Sequence, residues 1–319
     1  MKDEKIVLCF GEVLGLFLNP SGTRLRDCSQ ADVSFAGAES NVAIGLARLG
    51  CPVAWLSVVG ADPVGDRVLR QLRAERVDVS RVKVNATHPT ALMLRERIDW
   101  NEPSVYYWRD TSAFSHEAAD LVQSIDWTGV SGLFFSGITP GLNERTRAAT
   151  LAIAAEGKKR GVKLWFDVNY RFKLWSTREA AEMIGSLVGH LDILFTSIAE
   201  GQFLTGHEAP ADIARVLLAR GARQVVVKLG ARGAHWFSAQ ENHFCPAFPI
   251  AHEVDPIGAG DGFDAGFISG LLAGKPIDEC LRRGAACGAL VCMTDGDWEG
   301  LPTLAEIDRF TGQVRLAQR

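Results

Sequence analysis

The chain has 319 residues, of which 47% are hydrophobic and 23% charged, and its formal net charge is −4. This size predicts one large globular domain, or one with a small appendage, whose core needs neither disulfides nor metal. Since no basic stripe is present, we expect neither a nucleic-acid partner nor a membrane partner. The seven cysteines form no C-x-x-C pair and no signal-like apolar run follows Met1. We therefore expect reduced thiols, no membrane span and a cytoplasmic location.

Short apolar runs alternate with helical patterns along most of the chain. The runs are continuous, as expected for strands of a parallel sheet that is covered by helices on both faces. The predicted strands are 6–10, 53–59, 133–135, 163–167, 193–196 and 225–228, and the predicted helices are 40–49, 65–75, 144–160 and 211–220. This alternation predicts an α/β fold, a doubly wound and mostly parallel sheet sandwiched between helices.

Two stretches, residues 14–35 and 90–110, interrupt this alternation. Both contain segments in which successive residues suit opposite faces of a sheet. Such a period of two predicts antiparallel strands outside the main sheet. We expect the two insertions to form a small β lid, over a core made of residues 1–13, 36–89 and 111–319.

The segment 255–266 is the most informative for chemistry. It reads D-P-I-G-A-G-D-G-F-D-A-G, a turn of small residues that runs directly into a Gly-rich helix. Gly258, Ala259 and Gly260 leave backbone N–H groups free to converge on an anion, and the helix N terminus adds partial positive charge. A carboxylate beside a phosphate site is electrostatically costly. That cost makes sense if Asp261 accepts a proton from an attacking hydroxyl.

This segment has other interpretations. The phosphate loop G-x-x-x-x-G-K-[ST] occurs nowhere, and G-x-G-x-x-G fails because Phe263 stands at its last glycine. A purely structural alternative is that Asp261 caps the helix and the glycines allow close packing.

The seven histidines show neither H-E-x-x-H nor an i, i+4 pair, so we expect no metal role for them.

These residues resemble the signature of the ribokinase-like (PfkB) carbohydrate kinases, in which D-x-x-G-A-G-D supplies an anion hole and a catalytic base. The resemblance spans nearly the whole chain. It includes F-A-G-A-E-S-N at 35–41, A-R-L-G at 47–50, V-G-A-D-P-V-G at 59–65 and K-L-G-A-R-G at 228–233. It implies a ribokinase-like fold whose lid lies at the two insertions. Since members often dimerise through the lid, we expect a homodimer.

Further segments resemble the 2-keto-3-deoxygluconate kinases within this family. They are Y-Y-W-R at 106–109, S-G-I-T at 136–139, D-V-N-Y-R at 167–171, L-W at 174–175 and G-D-W-E-G at 296–300. A sugar acid carries a carboxylate, which the planar guanidinium of arginine binds in bidentate fashion. Arg109 follows a predicted lid strand and Arg171 a predicted core strand, so they could clamp one acidic end. The alternative is that both form surface salt bridges.

The resemblance implies a role for each matching residue. The expected substrate contacts are Gly37, Asn41, Tyr107, Arg109, Arg171 and Asp297, the last facing either the substrate or the nucleotide. Asp261 is expected to be the general base, with Gly258, Ala259 and Gly260 around the transferred phosphate. ATP is expected along Ser197, Lys228, Gly230 and Gly233, and Mg²⁺ at Glu200.

Three positions differ from the common family pattern. Ser197 replaces an asparagine near the metal, Met93 a lid tyrosine and Ala285 an adenine-side asparagine. The resulting hypothesis is transfer of the ATP γ-phosphate to the terminal hydroxyl of 2-keto-3-deoxygluconate, which gives 2-keto-3-deoxy-6-phosphogluconate. One alternative is a kinase for a neutral sugar such as fructose or ribose, against which Arg109 and Arg171 argue. The other is a catalytically silent sugar-acid sensor.

Overall fold

A computed structural model of the protein describes residues 5–20, 23–98 and 101–312. Its strands are β1 Ile6–Phe10, β2 Leu14–Leu18, β3 Asp32–Ala36, β4 Val53–Gly60, β5 Val82–Asn85, β6 Ala91–Ile98, β7 Asn101–Trp108, β8 Val130–Ser136, β9 Lys163–Asp167, β10 Ile193–Ser197, β11 Gln224–Lys228, β12 Ala234–Phe237 and β13 Asn242–Cys245. Its α-helices are α1 Ala38–Arg48, α2 Pro63–Ala74, α3 Ala113–Gln123, α4 Ile138–Leu142, α5 Glu144–Lys159, α6 Thr177–Leu187, α7 Ile198–Thr205, α8 Pro210–Ala219, α9 Ala259–Leu272, α10 Ile277–Cys292 and α11 Leu304–Phe310.

The main sheet has nine strands in the order β13-β12-β11-β10-β9-β8-β1-β4-β5. Every neighbouring pair from β11 to β5 is parallel, whereas β12 and β13 are added antiparallel at one edge. The chain order runs outward from β1 in both directions, so the switch point lies between β1 and β8. Ligands of such sheets bind beyond the carboxyl ends of the strands near this point.

Both faces of the main sheet are covered by helices, which explains the continuous apolar runs. In β1, Leu8 and Phe10 belong to the buried cluster on one face, and Val7 and Cys9 belong to the cluster on the other. Successive side chains of a strand point to opposite faces, so a strand buried on both sides must be apolar at every position. The predicted α/β fold, with its mostly parallel sheet between helices, is confirmed.

A second sheet has four strands in the order β3-β2-β6-β7; we call it the small sheet. Its strands lie at the two insertions recognised in the sequence, with β3 ending one residue beyond the bound at 35. Pairs β2–β3 and β6–β7 are antiparallel, as predicted, but the central pair β2–β6 is parallel. An entirely antiparallel small sheet was therefore wrong. Each insertion supplies one hairpin, and the two hairpins enter the sheet in the same direction.

The predicted element bounds mostly agree with the structure to within a few residues. The largest difference is the predicted strand 133–135, which extends over Val130–Ser136. Parts of the predicted core and lid, at residues 1–4, 21–22, 99–100 and 313–319, lie outside the described residues. Among the helices that are described, none has the length and apolar composition needed to cross a membrane.

Candidate active site

A cavity of about 380 Å³ lies between the small sheet and the carboxyl ends of the main-sheet strands. Twelve of the residues singled out in the sequence line it: Gly37, Asn41, Tyr107, Arg109, Arg171, Ser197, Glu200, Lys228, Gly258, Gly260, Asp261 and Asp297. They come from segments far apart in the chain and are brought together because parallel strands end at one edge of the sheet. We call this space the first cavity.

A second cavity, of about 680 Å³, lies on the other side of the turn that precedes α9. This cavity is lined by Gly230, Gly233 and Ala259. Ala285 also lines it, and the small side chain of this residue leaves space at the cavity wall. The two cavities share Lys228, Pro256 and Gly260 as lining residues. Two ligands, one in each cavity, would therefore meet at the turn before α9.

The turn before α9 is held in a shape that only glycine adopts easily. Gly258 has φ +78°, and a Cβ at this position would lie 2.0 Å from the carbonyl oxygen of Asp297. Within the described residues, the N–H groups of Gly260 and Asp261 form no backbone hydrogen bond. Unpaired N–H groups at a helix N terminus form a site for an anion. The turn can therefore hold a phosphate.

Asp261 is buried at this turn, with 7% of its surface exposed. Its carboxylate accepts a hydrogen bond from Nδ2 of Asn41 at 2.8 Å and a longer one from Nδ2 of Asn169 at 3.5 Å. The residue at the N-cap position is Gly258, with no side-chain capping bond. The structural alternative, in which Asp261 caps the helix, is thus not what the fold contains.

The pKa of Asp261 is raised to about 6. Burial is the largest cause of this rise. The hydrogen bond from Asn41 lowers the pKa, the charge of Asp167 raises it, and the charges of Lys228 and Arg171 lower it. A carboxylate with such a pKa is ionised at neutral pH but is more basic than an ordinary aspartate. It is suited to accept a proton.

Asn169 was not singled out by the sequence as a site residue. It has φ +37°, a left-handed conformation that asparagine tolerates better than most residues. It lines the first cavity, and its side chain points at Asp261. Backbone conformations of this kind are often found at functional sites. The motif D-V-N-Y-R contains Asn169, but no local pattern reveals its φ angle.

The side chain of Lys228 is mostly buried and contacts two carboxylates. Its Nζ is 2.8 Å from Oδ2 of Asp167 and 3.3 Å from Oδ1 of Asp264. Burial alone would lower the pKa of Lys228, but these two carboxylates outweigh it and the pKa is raised. Lys228 is therefore a fixed positive charge at the junction of the two cavities.

The two arginines of the predicted clamp have different surroundings. Arg109 is buried, and its Nε and Nη2 lie 2.8 and 2.7 Å from Oε2 of Glu12. Arg171 is exposed and lines the first cavity, and among the described residues no carboxylate pairs with it. The charge of Arg109 is largely compensated by Glu12, so Arg171 is the more available cation for an anionic ligand. Glu12 was missed in the sequence.

A second arginine of the small sheet was also missed. Arg95 on β6 is 2% exposed, and its guanidinium contacts the carboxylates of Asp255 and Asp297. The pKa of Asp297 is raised to about 7, mainly by burial, while Arg95 acts against this rise. The strand pattern places Arg95 in the lid, but it does not identify carboxylates that lie more than 150 residues away.

Glu200 and Ser197 form the start of α7. The N–H of Ser197 donates to Oε2 of Glu200 at 2.7 Å, and the N–H of Tyr170 donates to Oε1 at 2.8 Å. Both carboxylate oxygens keep a further lone pair. In the part of the chain that the structure describes, no group of three or more His, Cys, Asp or Glu could hold a metal. The remaining lone pairs of Glu200 fit Mg²⁺, which proteins usually bind through one or two carboxylates together with waters and phosphate oxygens.

Replacing Gly258 with Ala is expected to destabilise the protein. The turn would hold the alanine in a left-handed backbone conformation, and its Cβ would collide with the carbonyl oxygen of Asp297 at 2.0 Å. We expect the free energy of unfolding to fall by at least about 3 kcal/mol, because overpacking adds to the backbone strain. Denaturant unfolding of Gly258→Ala and wild type measures this difference.

The matched control is Gly274→Ala. Gly274 also has a positive φ, +66°, but a Cβ there meets nothing within 4 Å. Only the backbone strain remains, so a loss of about 1–2 kcal/mol is expected. Equal losses in the two variants would contradict the close contact between the turn and Asp297.

Comparison with known proteins agrees with this arrangement. The chain matches the profile of the pfkB family carbohydrate kinases over residues 4–304. The 2-dehydro-3-deoxygluconokinase of Bacillus subtilis (strain 168) is 36% identical over 312 residues, covering 97% of this chain and 96% of that protein. The crystal structure of 2-dehydro-3-deoxygluconokinase from Thermotoga maritima superposes with a TM-score of 0.86 at 26% identity, covering 97% of this chain and 99% of the other.

A further similar structure is the putative ribokinase II of E. coli, solved in complex with ATP and Mg²⁺. Its TM-score is 0.90 at 25% identity, and the superposition covers 98% of this chain and all of the other. The family profile extends over more than nine-tenths of the sequence and includes both cavities and the turn between them. The chain therefore belongs to the pfkB family of carbohydrate kinases.

Proposed function

We propose that the protein transfers the γ-phosphate of ATP to the terminal hydroxyl of 2-keto-3-deoxygluconate (2-dehydro-3-deoxygluconate), giving 2-keto-3-deoxy-6-phosphogluconate. The observation that carries the proposal is the position of Asp261. This buried carboxylate, with a pKa of about 6, lies at the first cavity beside unpaired N–H groups at the junction with the second. A general base for an attacking hydroxyl is needed at such a point.

The cations of the first cavity support an acidic substrate. Arg171 faces this cavity without a carboxylate partner among the described residues. A sugar carboxylate on Arg171 would gain a charge-assisted, bidentate hydrogen bond. Tyr107, whose ring centre lies 5.5 Å from the Arg109 guanidinium, would close over the sugar from the small sheet. Gly37, Asn41 and Asp297 would face the remaining polar groups of the substrate.

In the proposed mechanism, Asp261 takes the proton of the terminal hydroxyl while the hydroxyl oxygen attacks the γ-phosphorus in line. The N–H groups of Gly260 and Asp261, with the N terminus of α9, hold the oxygens of the transferred phosphoryl group. The ammonium group of Lys228, held by Asp167 and Asp264, lies at the same point. Because these groups are already in place, positioning and electrostatics supply most of the catalysis.

ATP would occupy the second cavity, with its phosphates pointing toward Gly260. Lys228, Gly230, Gly233 and Ala259 line this cavity on the phosphate side, and Ala285 lines it on the helical side. Glu200, with Ser197 beside it, would hold a hydrated Mg²⁺. When bound, the ion neutralises charge on the phosphate oxygens.

The small sheet is proposed to act as a lid. Residues 14–35 and 90–110 would form it, over a core of residues 1–13, 36–89 and 111–319. Closing over the substrate would exclude water and so prevent the hydrolysis of ATP.

The outer surface of the small sheet exposes Val33, Tyr106 and Trp108. These apolar side chains support a homodimer through the lid, which light scattering after gel filtration tests directly.

The cell compartment is also a proposal. All seven cysteines are free thiols in the structure. Reduced thiols in this number are typical of a cytoplasmic protein, because oxidising compartments favour disulfides. The proposed substrate and ATP are both small intracellular metabolites, which supports the same location.

The first experiment measures ADP release with Mg-ATP and a panel of acceptors: 2-keto-3-deoxygluconate, its galactonate epimer, gluconate, fructose and ribose. The proposal requires a preference for the keto-deoxy acids. Preference for fructose or ribose would keep a kinase and discard the sugar acid. Saturable binding of the sugar acid without turnover of any acceptor would instead favour a catalytically silent sensor.

Asn41→Ala tests the environment of the proposed base. The hydrogen bond from Asn41 favours the ionised form of Asp261 and lowers its pKa. Without it the pKa of Asp261 rises above about 6. The plot of log kcat/KM against pH should then start to fall at a higher pH than in the wild type, because only the ionised carboxylate accepts the proton. An unmoved acid limb would contradict the assignment of that limb to Asp261.

A further inference from the structure

Arg95 connects the small sheet to the core through two buried carboxylates. Its Nη2 contacts Oδ2 of Asp255, and its Nη1 lies 3.3 Å from Oδ1 of Asp297. The side chains are 2%, 6% and 9% exposed, respectively. An ion pair so deeply buried needs good geometry to offset its desolvation, so the position of the guanidinium is closely constrained.

Both carboxylates of this contact flank the anion-binding turn. The other oxygen of Asp255, Oδ1, accepts a hydrogen bond from the N–H of Ile257 at 3.1 Å, inside the turn. The backbone of Asp297 packs so closely on Gly258 that a Cβ there would lie 2.0 Å from its carbonyl oxygen. Arg95 therefore holds the segments on both sides of the turn that presents the N–H groups of Gly260 and Asp261.

The charges make this arrangement depend on the small sheet. Asp297 is buried, and its burial together with the nearby charge of Asp255 raises the free-energy cost of ionising it. Arg95 is the cation that offsets this cost. If β6 moved away from the core, both carboxylates would lose this cation, and the ionised form of Asp297 would become still more costly. The shape of the turn is thus linked to the position of the small sheet.

A neighbouring residue shows what a contact without this link looks like. Arg97, two positions along β6, also crosses from the small sheet to the core, where it contacts Asp295. Its side chain is 23% exposed and that of Asp295 is 54% exposed. Neither residue contacts the turn. Arg97 is therefore a natural control for Arg95, since it is the same residue type on the same strand.

We propose that Arg95 is a positioning residue, which fixes the anion-binding turn in its catalytic shape only when the small sheet is seated on the core. This inference rests on the proposed kinase function, because the turn is assigned there to the transferred phosphoryl group. It adds that the lid and the phosphate site are coupled through Asp255 and Asp297. Phosphoryl transfer is then efficient only in the closed form.

The test compares Arg95→Met and Arg97→Met with the wild type in steady-state kinetics. We expect Arg95→Met to lower kcat by about tenfold, since a small misplacement of reacting groups has effects of this order or larger. The KM for ATP should change by less than about twofold, because neither Arg95 nor its partners Asp255 and Asp297 line the second cavity. Arg97→Met should keep the wild-type kcat. Arg95→Lys, which can reach only one carboxylate at a time, should give an intermediate kcat.

Several results would overturn the inference. A folded Arg95→Met or Arg95→Lys with wild-type kcat would do so, as would equal losses in Arg95→Met and Arg97→Met. A lower melting temperature with unchanged kcat per folded molecule would reduce Arg95 to a purely structural ion pair. If Arg95→Met does not fold, the comparison rests on Arg95→Lys. Failure of the wild type to use any acceptor would instead overturn the proposed function, and this inference with it.

Discussion

Replacing Asp261 with Asn is expected to lower kcat by about 10²–10⁴-fold, the range found when a general base is removed. The new amide has nearly the same shape as the carboxylate, and its oxygen can still accept the hydrogen bond from Asn41. The second cavity is unaffected. ATP should therefore bind with nearly unchanged affinity. Steady-state turnover, with ATP binding measured by calorimetry, separates the two effects.

The pH dependence gives a second test of Asp261. The wild-type kcat/KM should fall below a pH of about 6, where the carboxylate becomes protonated, and Asp261→Asn should lack this limb. Asp120→Asn is the control, because Asp120 is exposed on α3, away from both cavities. Near-normal turnover of Asp261→Asn at pH 7.5 would contradict the assignment of the base.

Replacing Arg171 with Ala is expected to raise the KM for the sugar acid by about 10- to 100-fold, the typical value of a hydrogen bond between charged groups. The neutral acceptor fructose should lose little, since it carries no carboxylate. Because Arg171 also lowers the pKa of Asp261, its loss raises that pKa. The comparison should therefore be made at pH 8, where Asp261 is ionised in both proteins.

Arg178→Ala is the control for the removal of an arginine. Arg178 lies on α6, and among the described residues it forms only an exposed ion pair, with Glu182 at 4.0 Å. Such pairs contribute little to stability, so its kinetics should match the wild type. An equal loss for the acid and for fructose in Arg171→Ala would show that Arg171 does not recognise a carboxylate. An unchanged KM would move that role to Arg109 alone.

The features that can be predicted from a sequence are those whose interacting residues are consecutive. Asp261 and the glycines before it form one segment, and backbone geometry places them together wherever that segment lies. The same holds for the continuous strands such as β1 and β9, whose apolar residues follow from burial on both faces. A local pattern is sufficient in these cases because the interacting groups are neighbours in the chain.

The contacts that the sequence did not predict join distant parts of the chain. Arg95 and Asp255 are 160 positions apart, and Arg109 and Glu12 are 97 apart. A charged residue has many possible partners, and only the fold decides which one it meets. For the same reason the parallel pairing of β2 and β6 was missed, since it depends on how the two insertions meet rather than on either one.

The connections between the small sheet and the core limit how one can move against the other. The chain passes between them four times, and the four passages lie side by side. Glu12 in the first binds Arg109 in the last, and Gly37 in the second packs on the backbone of Glu12. In the third, the carbonyl of Pro89 accepts a hydrogen bond from the N–H of Ala113 at 2.8 Å, just beyond the last passage.

These four passages lie together at one end of the strands of the small sheet, where they form a single hinge region. The sheet cannot slide across the core or tilt in several directions without breaking these contacts. We therefore expect any motion of the small sheet to be a rotation about this end of its strands, with β6 and Arg95 moving together. The far side of the small sheet would then travel the greatest distance.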